Sequence, residues 1–205
     1  MQYQVSVGGT MYTMAEIFSV KIHQPLFASF SVGNTCSQEL TVTFRQSVSP
    51  PTMAQIIPYY RESDTDEWTQ AGVFYLDVRE TDPSGKTILT AYDSMLKTEQ
   101  PFNTPGDIGQ WPRTMDVVAN QIVTAIGCSL DPRTVISQYT MQYPNDYTMR
   151  DVLGYIAAAN GGNWIVTAED KFLLVPLFSS MPAETNYLVE EEGDAITFGG
   201  DRILV

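Results

Sequence analysis

The first 92 residues repeat one pattern: apolar and polar side chains alternate over a short run, and then turn chemistry interrupts them. In residues 73–79, Phe74, Leu76 and Val78 fall on one side of an extended chain, and Val73, Tyr75, Asp77 and Arg79 on the other. A period of two marks a half-buried strand. The turn Asp82-Pro83-Ser84-Gly85-Lys86 follows. Proline presets φ and Gly85 can enter the left-handed region, so a three-residue loop can return the chain into a second strand over 87–92. Asp93 then stands where its carboxylate can cap a short helix beginning Ser94-Met95-Leu96.

Upstream, residues 2–7 and 10–13 form a hairpin signal around Gly8-Gly9. Residues 18–24 alternate, with Phe18, Val20 and Ile22 assigned to one face, until Pro25 interrupts them; 26–32 read as a further short strand. Residues 36–46 read as a long strand with Leu40, Val42 and Phe44 opposite Glu39, Thr41, Thr43 and Arg45. The strand over 53–60 contains Pro58, which predicts a sheet edge or a bulge. A polar loop over 61–67 leads into a strand over 68–80. Six or more short strands with brief connections predict an antiparallel barrel or sandwich.

Beyond residue 99 the pattern changes. A Pro-, Gly- and Asn-rich connection over 100–112 precedes Met115, Val118, Ala119, Ile122, Val123 and Ile126 at helical spacing, with Thr114 as a cap and Gly127 as the stop. A second helix is predicted over 148–160, with Met149, Val152, Leu153, Ile156 and Ala159 as its apolar stripe. Thr148 and Asp151 have capping-box spacing. Two strands over 163–167 and 171–177 follow, around Ala168-Glu169-Asp170. The expected fold is therefore α+β and mainly β: an antiparallel β-barrel over 1–98 carrying a small inserted domain of two helices and a hairpin over 99–185. Residues 186–205 are available to complete the barrel, with strands around Gly199-Gly200. The last strand either closes the barrel or belongs to a longer protein.

A strand ending in TAYD (residues 90–93) before a short helix, with YTMRDVLGYIAAANGGNW (147–164) downstream, resembles the hub proteins of phage and prophage tails and baseplates. The resemblance spans roughly residues 5–204. It implies a structural virion component that joins the distal tail tube to the tail tip around a channel for DNA. It also implies a homotrimer, contacts with tail-tube subunits and other baseplate proteins, and no catalytic residue. Hubs of this kind are usually longer and carry two similar barrels, and most of a second barrel is missing from this sequence.

Charge fits a protein that meets DNA only in passing. With 24 acidic against 11 basic residues, the net charge is −13. Tight nucleic-acid binding draws on Lys and Arg to neutralise phosphate, and this chain is poor in both. The acidity serves solubility, or it lines a wall past which DNA slides. One histidine, His23, gives little support to His-based metal sites or triads. The two cysteines, Cys36 and Cys128, read as free thiols. The acidic runs Asp64, Asp66, Glu67 and Glu190, Glu191, Glu192, Asp194 read as solvated turns rather than opposed catalytic carboxylates. The Gly-Gly pairs lack phosphate-loop spacing, so neither a cofactor nor a metal is expected. No apolar run is long enough to cross a membrane, and the first residues lack the pattern of a secretory signal.

The candidate interface residues follow from composition. The segment 17–30 is apolar on both faces, so it is buried on both sides or meets a neighbouring subunit through Phe18, Ile22, Phe27 and Phe30. Tyr59, Tyr60, Arg61 and Trp68 flank the polar loop and are interface-like in type. The alternative function, a receptor- or carbohydrate-binding module of the tail tip, calls for Tyr59, Tyr60 and Trp68 to lie coplanar on a surface.

Overall fold

The computed structural model describes residues 2–25, 31–83, 85–103, 110–177, 197–198 and 201–202. Eight strands build the first sheet: β1 (Gln2–Val7), β2 (Thr10–Thr13), β3 (Ile17–His23), β4 (Glu39–Phe44), β5 (Gln55–Arg61), β6 (Thr69–Gln70), β7 (Phe74–Thr81) and β8 (Thr87–Tyr92). All pairings are antiparallel, in the order β2-β1-β5-β7-β8-β4-β3, with β6 alongside β5. The sheet curls into a nearly closed barrel. Its two edge strands, β2 and β3, are consecutive in sequence, and Tyr12 of β2 packs edge-on against Phe44 of β4 with ring centroids 5.0 Å apart. Inside lie Val5, Val7, Ile17, Leu40, Val42, Phe44, Ile56, Phe74, Leu76, Leu89 and Ala91, all buried.

Two bulges change the faces expected from simple alternation. In β7 the register against β8 slips between Leu76 and Val78, leaving Asp77 as the extra residue. Val78 therefore turns outward opposite Thr90 instead of following Phe74 and Leu76 into the core. In β3 the register against β4 slips between Ile17 and Ser19. Val20 and Ile22 keep the inner face, opposite buried Val42 and Leu40, whereas Phe18 becomes the bulged residue and is 51% exposed. Phe18 thus does not share a face with Val20 and Ile22. Nor is β3 buried on both sides: it is an edge strand with an exposed outer surface.

Pro58 is another departure. The strand that carries it lies between β1 and β7 rather than at an edge. The carbonyl of Pro58 accepts from Ala71 N at 2.9 Å, so its missing N–H faces the gap where pairing passes from β7 to β6. No ladder bond to β1 is lost there, which lets proline sit in a central strand. The single strand expected over 68–80 is accordingly split into β6 and β7. The strand expected over 36–46 is confined to β4, because residues 33–36 pair elsewhere. Residues 31–33 form a bend, and the rest of the strand expected over 26–32 lies outside the described residues.

The second unit packs α1 (Met115–Ala125) and α2 (Met149–Ala159) on a hairpin of β12 (Gly162–Val166) and β13 (Lys171–Pro176). The strand pair β9 (Arg113–Thr114) and β11 (Thr140–Met141) and the short β10 (Ser129–Leu130), parallel to β13, complete it. Helix α2 begins with a full capping box, in which Thr148 and Asp151 exchange bonds. Thr114 holds the cap position of α1 without a side-chain cap bond. Buried Val118, Ala119, Ile122 and Val123 face Val152, Leu153, Ile156 and Ala157; Ala157, not Ala159, completes the stripe of α2. Trp164 is fully buried beneath α2 and donates from Nε1 to Leu153 O at 2.8 Å. Trp111 packs the connecting loop against Phe102 and Tyr143.

The two units are stitched together. Gly33 N donates to Gly162 O (2.9 Å), Trp164 N to Asn34 O (2.8 Å) and Cys36 N to Trp164 O (2.9 Å), so residues between β3 and β4 run beside β12. Gly33 has φ +88°, and a Cβ there would lie 3.0 Å from Ala158 Cβ. Near the end of the chain, Thr197–Phe198 pairs antiparallel with Asp201–Arg202.

Candidate functional site

At one end of the barrel an apolar cleft of about 350 Å³ is lined by Tyr3, Val20, Ile22, Pro58, Tyr59, Tyr60 and Ala71. Three candidate interface residues, Ile22, Tyr59 and Tyr60, therefore meet in one place. Alternation along β1 points Tyr3 inward with Val5 and Val7, a signal present in the sequence. Val20 shares the face of Ile22 by simple alternation, whereas Ala71 reaches the cleft through the break between β6 and β7, which leaves no local mark.

Arg61 and Trp68 sit on a neighbouring groove with Gln2, Tyr3, Gln4 and Met14. The Arg61 guanidinium lies 4.5 Å from the Trp68 ring centroid, donates from Nε to Gln2 Oε1 (2.8 Å) and pairs with Asp64 (3.3 Å). The tryptophan face is covered by its own arginine. Tyr59 and Tyr60 are consecutive on β5, so their side chains leave opposite faces of the strand. The coplanar Tyr59-Tyr60-Trp68 platform is not assembled. Phe18 stands apart on the outer surface, and Phe27 and Phe30 lie outside the described residues.

A polar seam joins barrel and insert. The Asp93 carboxylate, 2% exposed, accepts from Gln38 N (2.7 Å), Ser37 Oγ (2.9 Å) and Met95 N (3.0 Å). It thereby caps the 3-10 turn Ser94–Glu99 and fixes the chain entering β4. Gln38 Nε2 reaches across to Val166 O at 2.7 Å, and the Tyr75 hydroxyl donates to Asp170 Oδ2 at 2.9 Å. Burial pushes the Asp93 carboxyl up to about 6, against the lowering effect of its three donors and with a further push from Asp170. Burial likewise raises the Cys128 thiol, whose Sγ lies 3.9 Å from Asp170 Oδ2. Cys36 and Cys128 do not form a disulfide. Sequence reasoning identified the capping role of Asp93 but not the seam, because Gln38, Tyr75 and Asp170 are far apart in the chain.

Among the described residues, no group of three or more His, Cys, Asp or Glu side chains could hold a metal ion, and no helix is long and apolar enough to cross a membrane. Asp64 and Asp66 serve their own loop: Asp64 pairs with Arg61, and Asp66 Oδ2 accepts from Ser63 N at 2.8 Å. The run over 190–194 lies outside the described residues. The described surface thus carries an apolar cleft, an aromatic rim and two edge strands, features that in general favour contact between polypeptides.

The architecture defined by these elements is an antiparallel barrel with an α+β unit stitched into its β3–β4 connection. The same fold occurs in solved tail proteins, two of them from prophages. The 43 kDa tail protein of prophage MuSo2 from Shewanella oneidensis superposes with a TM-score of 0.59 at 12% identity, over 87% of this chain and 56% of that one. The tail protein from Neisseria meningitidis MC58 gives 0.54 at 9% identity, over 95% and 52%. Prophage tail protein gp18 from Listeria monocytogenes EGD-e gives 0.50 at 9% identity, over 93% and 55%. The chain spans about half the length of each. It matches no protein-family model and no curated protein. At such identities the likeness is one of fold.

Proposed function

We propose that this chain is a structural, non-enzymatic component of a phage or prophage tail. In this reading it is the baseplate or hub protein that joins the distal tail tube to the tip and surrounds a channel for DNA. The observation that carries the reading is the shared fold: barrel and insert together follow solved tail proteins, two of them from prophages, over 87% or more of the chain. The proposed assembly is a homotrimeric ring whose barrels contact tail-tube subunits and other baseplate proteins. The apolar cleft and the free edges of β2 and β3 supply surfaces of the right kind. The net charge of −13 suits a channel wall that DNA passes without adhering.

Deleting the gene in a strain that produces the particle, followed by electron microscopy of the lysate, tests the proposal. Particles without assembled tail tips, restored by the gene in trans, are expected. Normal, infective tails without this chain would overturn it.

A further inference from the structure

Phe18 is an exposed aromatic held between two cations. The bulge turns it out of the barrel, and the Arg45 guanidinium and the Lys86 ammonium lie 5.4 and 4.6 Å from its ring centroid. Neither cation has an ion-pair partner among the described residues. The acid closest in sequence to Phe18, Glu16, is used by the β2–β3 turn, where it accepts from Thr13 N at 2.8 Å and Thr13 Oγ1 at 3.2 Å. Arg61, Arg133 and Arg150, by contrast, are paired within the chain. In a protein with 11 bases against 24 acids, two cations left around an exposed ring form a basic-aromatic surface of the kind that receives carboxylates.

The chain also carries a matching surface. Residues 62–67, between β5 and β6, are all exposed and internally braced: Arg61 Nη1 donates to Asp64 O (3.0 Å), and Ser63 N to Asp66 Oδ2 (2.8 Å). Its other two acids, Glu62 and Glu67, have no partner among the described residues. A braced loop costs little ordering entropy when it docks. Basic surface and acidic loop do not pair within one molecule, so each copy can offer a loop and receive one.

We propose that the surface formed by Phe18, Arg45 and Lys86 docks the acidic 62–67 loop of a second copy of this chain. The inference rests on the ring reading above and gives that ring its contact. A contact that is given and received by every subunit can close into a cyclic assembly. Charge pairs at an exposed surface make it sensitive to salt.

Sedimentation velocity at low and at high salt tests it with four proteins: the wild type, Arg45→Glu/Lys86→Glu, Glu62→Lys/Glu67→Lys, and the chain carrying all four changes. Arg45, Glu62 and Glu67 are exposed and Lys86 is half-buried, and unchanged urea midpoints confirm folding. The wild type is expected to self-associate at low salt. Each double variant should associate at least about tenfold more weakly, and the four-fold swap should regain association because the charges again complement. Phe18→Ser, which leaves the charges in place, should weaken association as well. Unaltered association of Arg45→Glu/Lys86→Glu, or no recovery in the swap, overturns this contact and leaves the ring reading standing. A monomeric wild type at low salt overturns both. Loss of DNA-oligonucleotide binding by Arg45→Glu/Lys86→Glu with unaltered self-association assigns the cations to another occupant and also overturns the contact.

Discussion

Replacing Asp93 by Asn should remove one defined component of the pH dependence of folding. In the folded chain burial pushes this carboxyl up to about 6, from an ordinary 3.8. A group raised on folding binds more protons in the folded state, so its contribution is present below 3.8 and is lost as pH rises through about 6. Between pH 7.5 and pH 5 the folded form takes up nearly one proton at this site and the unfolded form almost none. That difference is worth about 1.4 kcal/mol of added stability at pH 5. Asparagine cannot titrate. Its amide must also turn its NH₂ toward Gln38 N or Met95 N, so at least one buried donor loses its partner, at a cost of about 1–3 kcal/mol. Urea unfolding of both proteins at the two pH values gives the double difference, in which all other titrating groups cancel. The wild type should gain about 1.4 kcal/mol on Asp93→Asn when pH falls from 7.5 to 5. An equal stability gap at both pH values would refute the argument that burial outweighs the three donors.

Other substitutions probe the packing. Trp164→Ala empties the space beneath α2 and removes the indole bond to Leu153 O, and should cost about 3–5 kcal/mol, read as a fall in the thermal midpoint. Gly33→Ala forces a side chain into φ +88° and against Ala158, and should destabilise by about 1–3 kcal/mol in urea melts. Cys128 should react with a thiol reagent at neutral pH more slowly than an exposed thiol, since burial raises its pKa, and 6 M urea should remove the difference.

Much of this molecule is legible in its sequence because local chemistry decides it. The Gly8-Gly9 hairpin, the cap at Asp93, the Thr148–Asp151 box and the stop at Gly127 each depend on a few neighbouring residues. The exceptions share a cause. A bulge shifts register by one residue, and the sequence of β3 or β7 looks the same with or without it; only the partner strand shows which residue is extra. For the same reason simple alternation groups Phe18 with Val20 and Ile22, whereas the bulge turns it to the outer surface. Pro58 argues for an edge until the break between β6 and β7 is visible beside it. Segment 33–36, Gly-Asn-Thr-Cys, carries no apolar alternation of its own, and only its distant partner β12 shows that it is paired. Of the candidate surface, Ile22, Tyr59 and Tyr60 converge, but Arg61 and Trp68 satisfy one another next door.

The most direct measurement is a cryo-electron microscopy reconstruction of isolated tails. Density at the distal end of the tube should accept three copies of the barrel around a central channel, with the α+β units attached through their β3–β4 connections. A complete tail whose density has no place for this fold would contradict the account.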